Sequence, residues 1–186
     1  MINYKSIACL FLIFLGFTSY SQRRLEVEKG EISFTSDAKL ELINAASKKL
    51  QGRIDPATGQ FAFIVKIQSF EGFNSRLQRE HFNEKFMEAD KYFEATFAGK
   101  IIDPVNFSME GVYDVRTKGT LTIHGKKQIR MIPARIQVEK GKLKIVSEFS
   151  VPLADHDIKI PQLINEKIAT EIKIKINVSM SENLSP

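Results

Sequence analysis

The 186 residues contain one cysteine, three histidines and no tryptophan. A lone thiol forms no internal disulfide. With so few histidines, zinc-type chemistry has little to build on, because such sites normally want at least three protein ligands. No Gly-x-Ser-x-Gly elbow is present to seat a hydrolase nucleophile. The stretch from Gly119 to Gly125-Lys126 fails as a phosphate loop: it has five intervening residues where four are needed, and Lys127 stands where Ser or Thr should follow. No apolar run reaches the ~20 residues that cross a bilayer core of ~30 Å. The formal net charge of +5 does not point to nucleic acid. The lysines are interleaved along strands, as in Ile172-Lys173-Ile174-Lys175-Ile176, which is the pattern of a solvated sheet face.

The N-terminus has the three-part anatomy of a secretory signal. Lys5 precedes twelve uncharged residues, 6–17, and small Ser19 and Ser21 sit at −3 and −1 of a cut before Gln22. Residues 1–21 are therefore expected to be a signal peptide and 22–186 one exported domain, periplasmic or secreted. Cys9 lies near the start of the apolar run, so it is not read as a lipid-attachment cysteine. The mature chain would have no cysteine, and its length alone suffices to bury a core.

What the sequence does contain is alternation of period two, the mark of strands with one face buried. Ile172, Ile174, Ile176 and Val178 alternate with Lys173, Lys175 and Asn177. Phe61-x-Phe63-x-Val65-x-Ile67, Phe93-x-Ala95-x-Phe97 and Leu143-x-Ile145-x-Ser147-x-Phe149-x-Val151 repeat the pattern. Shorter candidates cover 31–36, 42–54, 110–116, 119–124 and 128–138. Asp55-Pro56-Ala57-Thr58-Gly59 reads as a hairpin loop, and Lys118-Gly119, Gly125-Lys126 and Glu139-Lys140-Gly141 as turns. The expectation is an all-β chain of about eight antiparallel strands. One helix interrupts it over 75–89, with Ser75 and Gln78 as a capping box and Phe82, Phe86 and Ala89 on one face. A short helical turn is expected near Pro161.

Few side chains offer chemistry. His81 and Glu84 lie three apart on the helix and could share a metal, but a hydrogen-bonded or surface role is preferred. Asp155-His156-Asp157 is read as capping or solvated, since adjacent side chains in an extended loop diverge. No catalytic group, metal or cofactor is expected. The phenylalanines say more. Eleven lie beyond residue 21, and they either fill a packed core or line an apolar cavity.

Ordered blocks of residues carry a family resemblance. They are Gly30-Glu31-Ile32-Ser33-Phe34, Leu50-Gln51-Gly52-Arg53-Ile54-Asp55 with Gly59-Gln60-Phe61, Ser69-Phe70 and Asn74 before Arg79-Glu80-His81-Phe82, Lys91-Tyr92-Phe93-Glu94-Ala95-Thr96-Phe97, and Gly119-Thr120-Leu121-Thr122-Ile123-His124-Gly125. Together they resemble the YceI-like proteins, exported bacterial proteins with a lipocalin-like fold. The chain departs from the family at Phe93, where proline is usual, and over 155–161. The resemblance implies an eight-stranded antiparallel barrel with one short helix between strands. It implies a non-catalytic binding protein for a long amphiphile: an isoprenoid, a quinone-like molecule or a fatty-acyl chain. The expected ligand-binding residues are Phe61, Phe63, Phe73, Phe82, Phe86, Phe97 and Phe149. Arg76, Arg79 and His81 could hold a polar or phosphorylated headgroup at the mouth, though a role as exposed helix residues is preferred for those three. The partner is then a lipid-like small molecule, with transient membrane contact open and no signal for oligomeric state.

Overall fold

In the computed structural model, which describes residues 24–182, the alternating runs are strands of one antiparallel sheet. In chain order they are β1 (Leu25–Asp37), β2 (Leu42–Ser47), β3 (Gln51–Ile54), β4 (Gln60–Lys66), β5 (Glu94–Ile101), β6 (Gly111–Ile123), β7 (Lys126–Glu139), β8 (Lys142–Pro152) and β9 (Glu171–Glu182). The sheet closes because β9 pairs with β1 from Leu25–Glu182 to Thr35–Lys173. Eight strands encircle the barrel, and β2 is an extra strand on the far half of β1. Helix α1 (Arg76–His81) continues into a π-helical turn, Phe82–Phe86. The expected eight-stranded barrel with one short helix is what forms. The signal-like segment and its cut before Gln22 lie outside the described residues.

Four local expectations need correction, each for a backbone reason. The run 42–54 is two strands, because the chain breaks over Lys48, Lys49 and Leu50. Beyond that break β3 pairs with β1 and β4, while the outer edge of β2 is met by an Ala46–Glu71 bridge. The runs 110–116 and 119–124 are one strand, β6. Lys118-Gly119 is therefore no turn: Gly119 lies opposite Gly99 of β5, and a Cβ on either would collide with the neighbouring strand's backbone. The first strand begins at Leu25, six residues before its expected start. An irregularity between Val27 and Lys29 had hidden it by breaking the alternation.

Burial along β9 shows where the barrel is full. Val178 and Met180 are wholly buried, whereas Ile172, Ile174 and Ile176 on the same inward row are only half-buried. Met180 packs with Leu25, Ile136 and Leu143 into a closed end, and beside them Val178 and Ile54 form the floor of an apolar space. Toward the α1 end the inward side chains face space instead.

The wall is also stitched there rather than laddered. β7 and β8 pair only from Arg135–Val146 to Glu139–Lys142. Pro133 has no N–H to offer on the β8 side, so the ladder stops. Ser147 Oγ donates to Pro133 O (2.6 Å), Arg130 donates to Ser150 O (2.8 Å), and Gln128 donates to Asp155 O (2.7 Å) across the gap.

Candidate functional site

Ser75 starts the helix as expected, its side chain accepting a hydrogen bond from the Gln78 N–H at 3.1 Å. The Gln78 side-chain oxygen Oε1 accepts from the Asn74 N–H rather than from Ser75, and its amide donates to Glu41 Oε1 at 2.9 Å. These bonds hold the helix over the mouth. Beneath it lies a cavity of about 430 Å³, lined chiefly by apolar side chains that include Ile43, Phe70, Ile123 and Ile172. That volume is within the ~300–1,000 Å³ range of small-molecule sites. A second cavity of about 120 Å³ sits deeper in the barrel. Ile32, Val65, Ala95, Ile123, Val151 and Ile174 belong to both linings, so the two share a waist.

The ten expected binding residues fall into three groups. Phe73, His81, Phe82 and Phe86 line the upper chamber. Phe61, Phe63, Phe97 and Phe149 line the deeper one. Arg76 and Arg79 are not brought to either. They face an outer groove with Glu80, Asn83 and Glu84, where Arg76 pairs with Glu80 (2.9 Å) and Arg79 donates to Gln68 O (3.1 Å). Glu84 is on that outer side as well, so it does not join His81.

Sequence reasoning missed Phe34 and Phe70 as wall residues. Phe34 stacks on Phe82 with centroids 5.3 Å apart and touches Phe70 and Phe73 at 5.5 and 5.9 Å. Edge and offset contacts of this kind fix ring positions. Also missed were the polar members at the mouth, Glu41, Ser75, Gln78 and Lys167, together with buried Ser36. The Ser36 hydroxyl is occupied, accepting from the Ala169 N–H at 2.9 Å.

The other two histidines form a clasp between loops. His124 Nδ1 lies 3.0 Å from His156 O, and its Nε2 lies 3.1 Å from Glu88 Oε1. Tyr92 meets the His124 ring edge-on at 4.6 Å. His156 is fully buried, which corrects the solvated reading of Asp155-His156-Asp157. The 3-10 turn Leu153–His156 carries it inward, while Asp155 and Asp157 turn out to Arg130 and Lys126. Among the described residues, no three His, Cys, Asp or Glu side chains converge as a metal site requires.

His156 Nδ1 donates to Lys126 O (3.2 Å), and Nε2 has no hydrogen-bond partner among the described residues. Burial therefore favours the neutral ring and lowers its pKa from the usual 6.5, against the pull of backbone carbonyls. The unfolded chain takes up this proton first as pH falls. The stability tied to neutral His156 is thus complete above about pH 6.5 and declines below it, down to the folded pKa. Denaturant midpoints at pH 7.5 and 5.5 should separate for the parent and converge for His156→Gln. An equal separation in both proteins would place the effect elsewhere.

Comparison with known proteins comes out on the same side as the geometry. The model of the YceI-like domain family matches residues 24–180. A search of the curated proteins found no match. Among solved structures, a polyisoprenoid binding domain from Saccharophagus degradans, implicated in plant cell wall breakdown, superposes with TM-score 0.72 at 16% identity, covering 86% of this chain and 98% of its own. BcnA of Burkholderia cenocepacia gives 0.67 at 19%, covering 81% and 95%. The Campylobacter jejuni YceI protein gives 0.60 at 21%, covering 76% and 85%.

Proposed function

The chain belongs to the YceI-like domain family, and on that premise we propose that it binds one long apolar amphiphile inside the barrel, without catalysis, for carriage or sequestration in the bacterial envelope. One observation carries the reading: a phenylalanine- and isoleucine-walled chamber under the helix, continued at a waist into a deeper apolar cavity. Apolar cavities of this size are poor hosts for water and good ones for hydrocarbon. Burial contributes ~0.8 kcal/mol per methylene, and association costs ~4–15 kcal/mol. A tail of about ten or more carbons is then needed, and a long, two-part cavity suits an isoprenoid, quinone-like or fatty-acyl chain.

The tail would lie along Phe61, Phe63, Phe97 and Phe149, with Phe73, Phe82 and Phe86 above it. The head would meet the mouth at His81, Gln78 and Glu41. Arg76 and Arg79 face away and are left out of that role. The polyisoprenoid assigned to the Saccharophagus degradans domain supports this class of ligand. Organic extraction of protein purified from its native envelope, followed by mass spectrometry, should yield one stoichiometric amphiphile. A clean extract from protein that still takes up no hydrocarbon probe would leave a barrel with a structural role only.

We also propose export, on the charged, apolar and small-residue order of positions 5–21. N-terminal sequencing of the envelope protein should begin within about two residues of Gln22. An intact Met1 on that material would contradict it. Among the described residues, no helix is long and apolar enough to cross a membrane.

A further inference from the structure

The exposed members of the chamber lining, Ser75, Leu77 and Lys167, mark where it meets solvent. Three segments far apart in sequence frame that opening: the β1–β2 turn, the first turn of α1, and the loop leading into β9. They are tied to one another. Leu40 N–H donates to Glu166 O (2.8 Å), Lys39 pairs with Glu166 (2.9 Å), and Gln78 holds Glu41. Each segment carries an outward leucine: Leu40, Leu77 and Leu163 are 62%, 58% and 96% exposed.

We infer that this leucine rim is a docking surface for a phospholipid bilayer, seating the mouth of the barrel in the apolar edge of the membrane. The inference rests on the amphiphile reading and adds where the ligand is exchanged. Three features favour a bilayer over a protein partner. The leucines belong to three short segments, a turn, a helix end and a 3-10 turn, and not to one helix face or strand edge on which a protein partner would seat a matching element. The charges beside Leu40 and Leu163 are mixed in sign: Lys39 pairs with Glu166, Glu41 accepts from the Gln78 amide, and Lys167 adds a positive charge at the opening. Mixed signs give no single-sign field to steer a charged protein, and such charges can stay in the headgroup layer while the leucines enter the apolar edge. Apolar lining is also continuous with the rim through Leu77 and Ile164. A tail leaving the chamber elsewhere would cross water, at a cost that grows with every methylene. Lys167, at the same opening, has a stem long enough to leave its ammonium among the headgroups.

The chain has no tryptophan, so Leu163→Trp introduces a single reporter at the rim. With phosphatidylcholine vesicles carrying brominated acyl chains, its emission should shift to the blue and be quenched. Ile129→Trp, at a 74% exposed site on the outer wall of β7, should do neither. The double variant Leu40→Asp/Leu163→Asp, which leaves the chamber lining intact, should take up a fluorescent oleic acid from water at the parental affinity. It should take the same probe from phosphatidylcholine vesicles at least tenfold more slowly. The rim reading is overturned if the Leu163→Trp signal ignores vesicles or shifts with protein concentration alone, which would mean a second copy. A shift that requires anionic lipid and vanishes in high salt, or parental transfer by the double variant, overturns it equally. A parent protein that binds no probe from water refutes the chamber reading instead, while the tryptophan arm still reads the rim.

Discussion

Replacing Val178 by Asp is expected to cost ~4 kcal/mol or more and to leave little folded protein. Val178 has no exposed surface, and it lies between Ile145 of β8 and Gly30 of β1 on the apolar floor of the deeper cavity, far from the mouth. A carboxylate there finds neither water nor a partner, the mechanism behind the largest single-site losses. Whole domains hold only ~5–15 kcal/mol. Four residues earlier on the same inward row, Ile174 lines both cavities, and a charge at that position can be reached by water through the mouth. Ile174→Asp should therefore cost clearly less, ~1–2 kcal/mol, with lipid loading abolished. Urea melts of the two variants decide it. Equal losses would mean that the barrel is packed alike at both ends. Deleting the chain from Ile172 onward goes further, because β9 pairs along its length with β8 and with β1. Two open edges would follow, and the product should aggregate.

The strands were legible where one face meets lysine and the other meets the interior, as in β9, β4 and β8, because period two encodes that geometry directly. They were illegible where the backbone itself departs from a plain ladder. Gly30 sits just beyond the irregularity in β1, Gly99 and Gly119 mark a close approach between β5 and β6, and Lys48-Lys49-Leu50 separate β2 from β3. Glycine in a strand and glycine in a turn look the same in a sequence. Only the partner strand tells them apart.

The helix stands where Ser75 starts it, although Gln78 closes on Asn74 and the helix ends at Phe86, and its two sides are legible in the sequence. Rows four apart separate cleanly: Leu77–His81 and Gln78–Phe82–Phe86 face the chamber, whereas Arg76–Glu80–Glu84 and Arg79–Asn83 face out. An arginine with a glutamate four residues on already has a surface partner. That was the available signal against Arg76 as a headgroup ligand. The rim was another matter. Glu41, Gln78 and Lys167 meet only because closure of the barrel brings three distant segments together, and no local pattern encodes that meeting. Half-burial of Ile172, Ile174 and Ile176 likewise appears only once the barrel is built, since a hollow end and a full end have the same alternation.

Narrowing the waist is the sharpest test that the two cavities act as one site. Ala95 of β5 belongs to both linings and packs against both apolar clusters. Ala95→Phe puts a ring where the passage runs. Phenylalanine is preferable to tryptophan, whose N–H would be left unpaired among apolar walls. In a full core such an enlargement costs ~1–3 kcal/mol through strain. Here the ring enters open space, so the melting temperature should stay within a few degrees of the parent or rise. The deeper cavity should then be closed to the tail. Losing about three buried methylenes at ~0.8 kcal/mol each removes ~2.4 kcal/mol of binding, a weakening of more than tenfold. The loss should grow with chain length and vanish for tails short enough to stop above the waist. Titrating fatty acids of increasing length into parent and variant measures this directly. Unchanged affinity for the longest tail would mean that it never passes Ala95, and a steep loss of stability would mean that the passage is already filled.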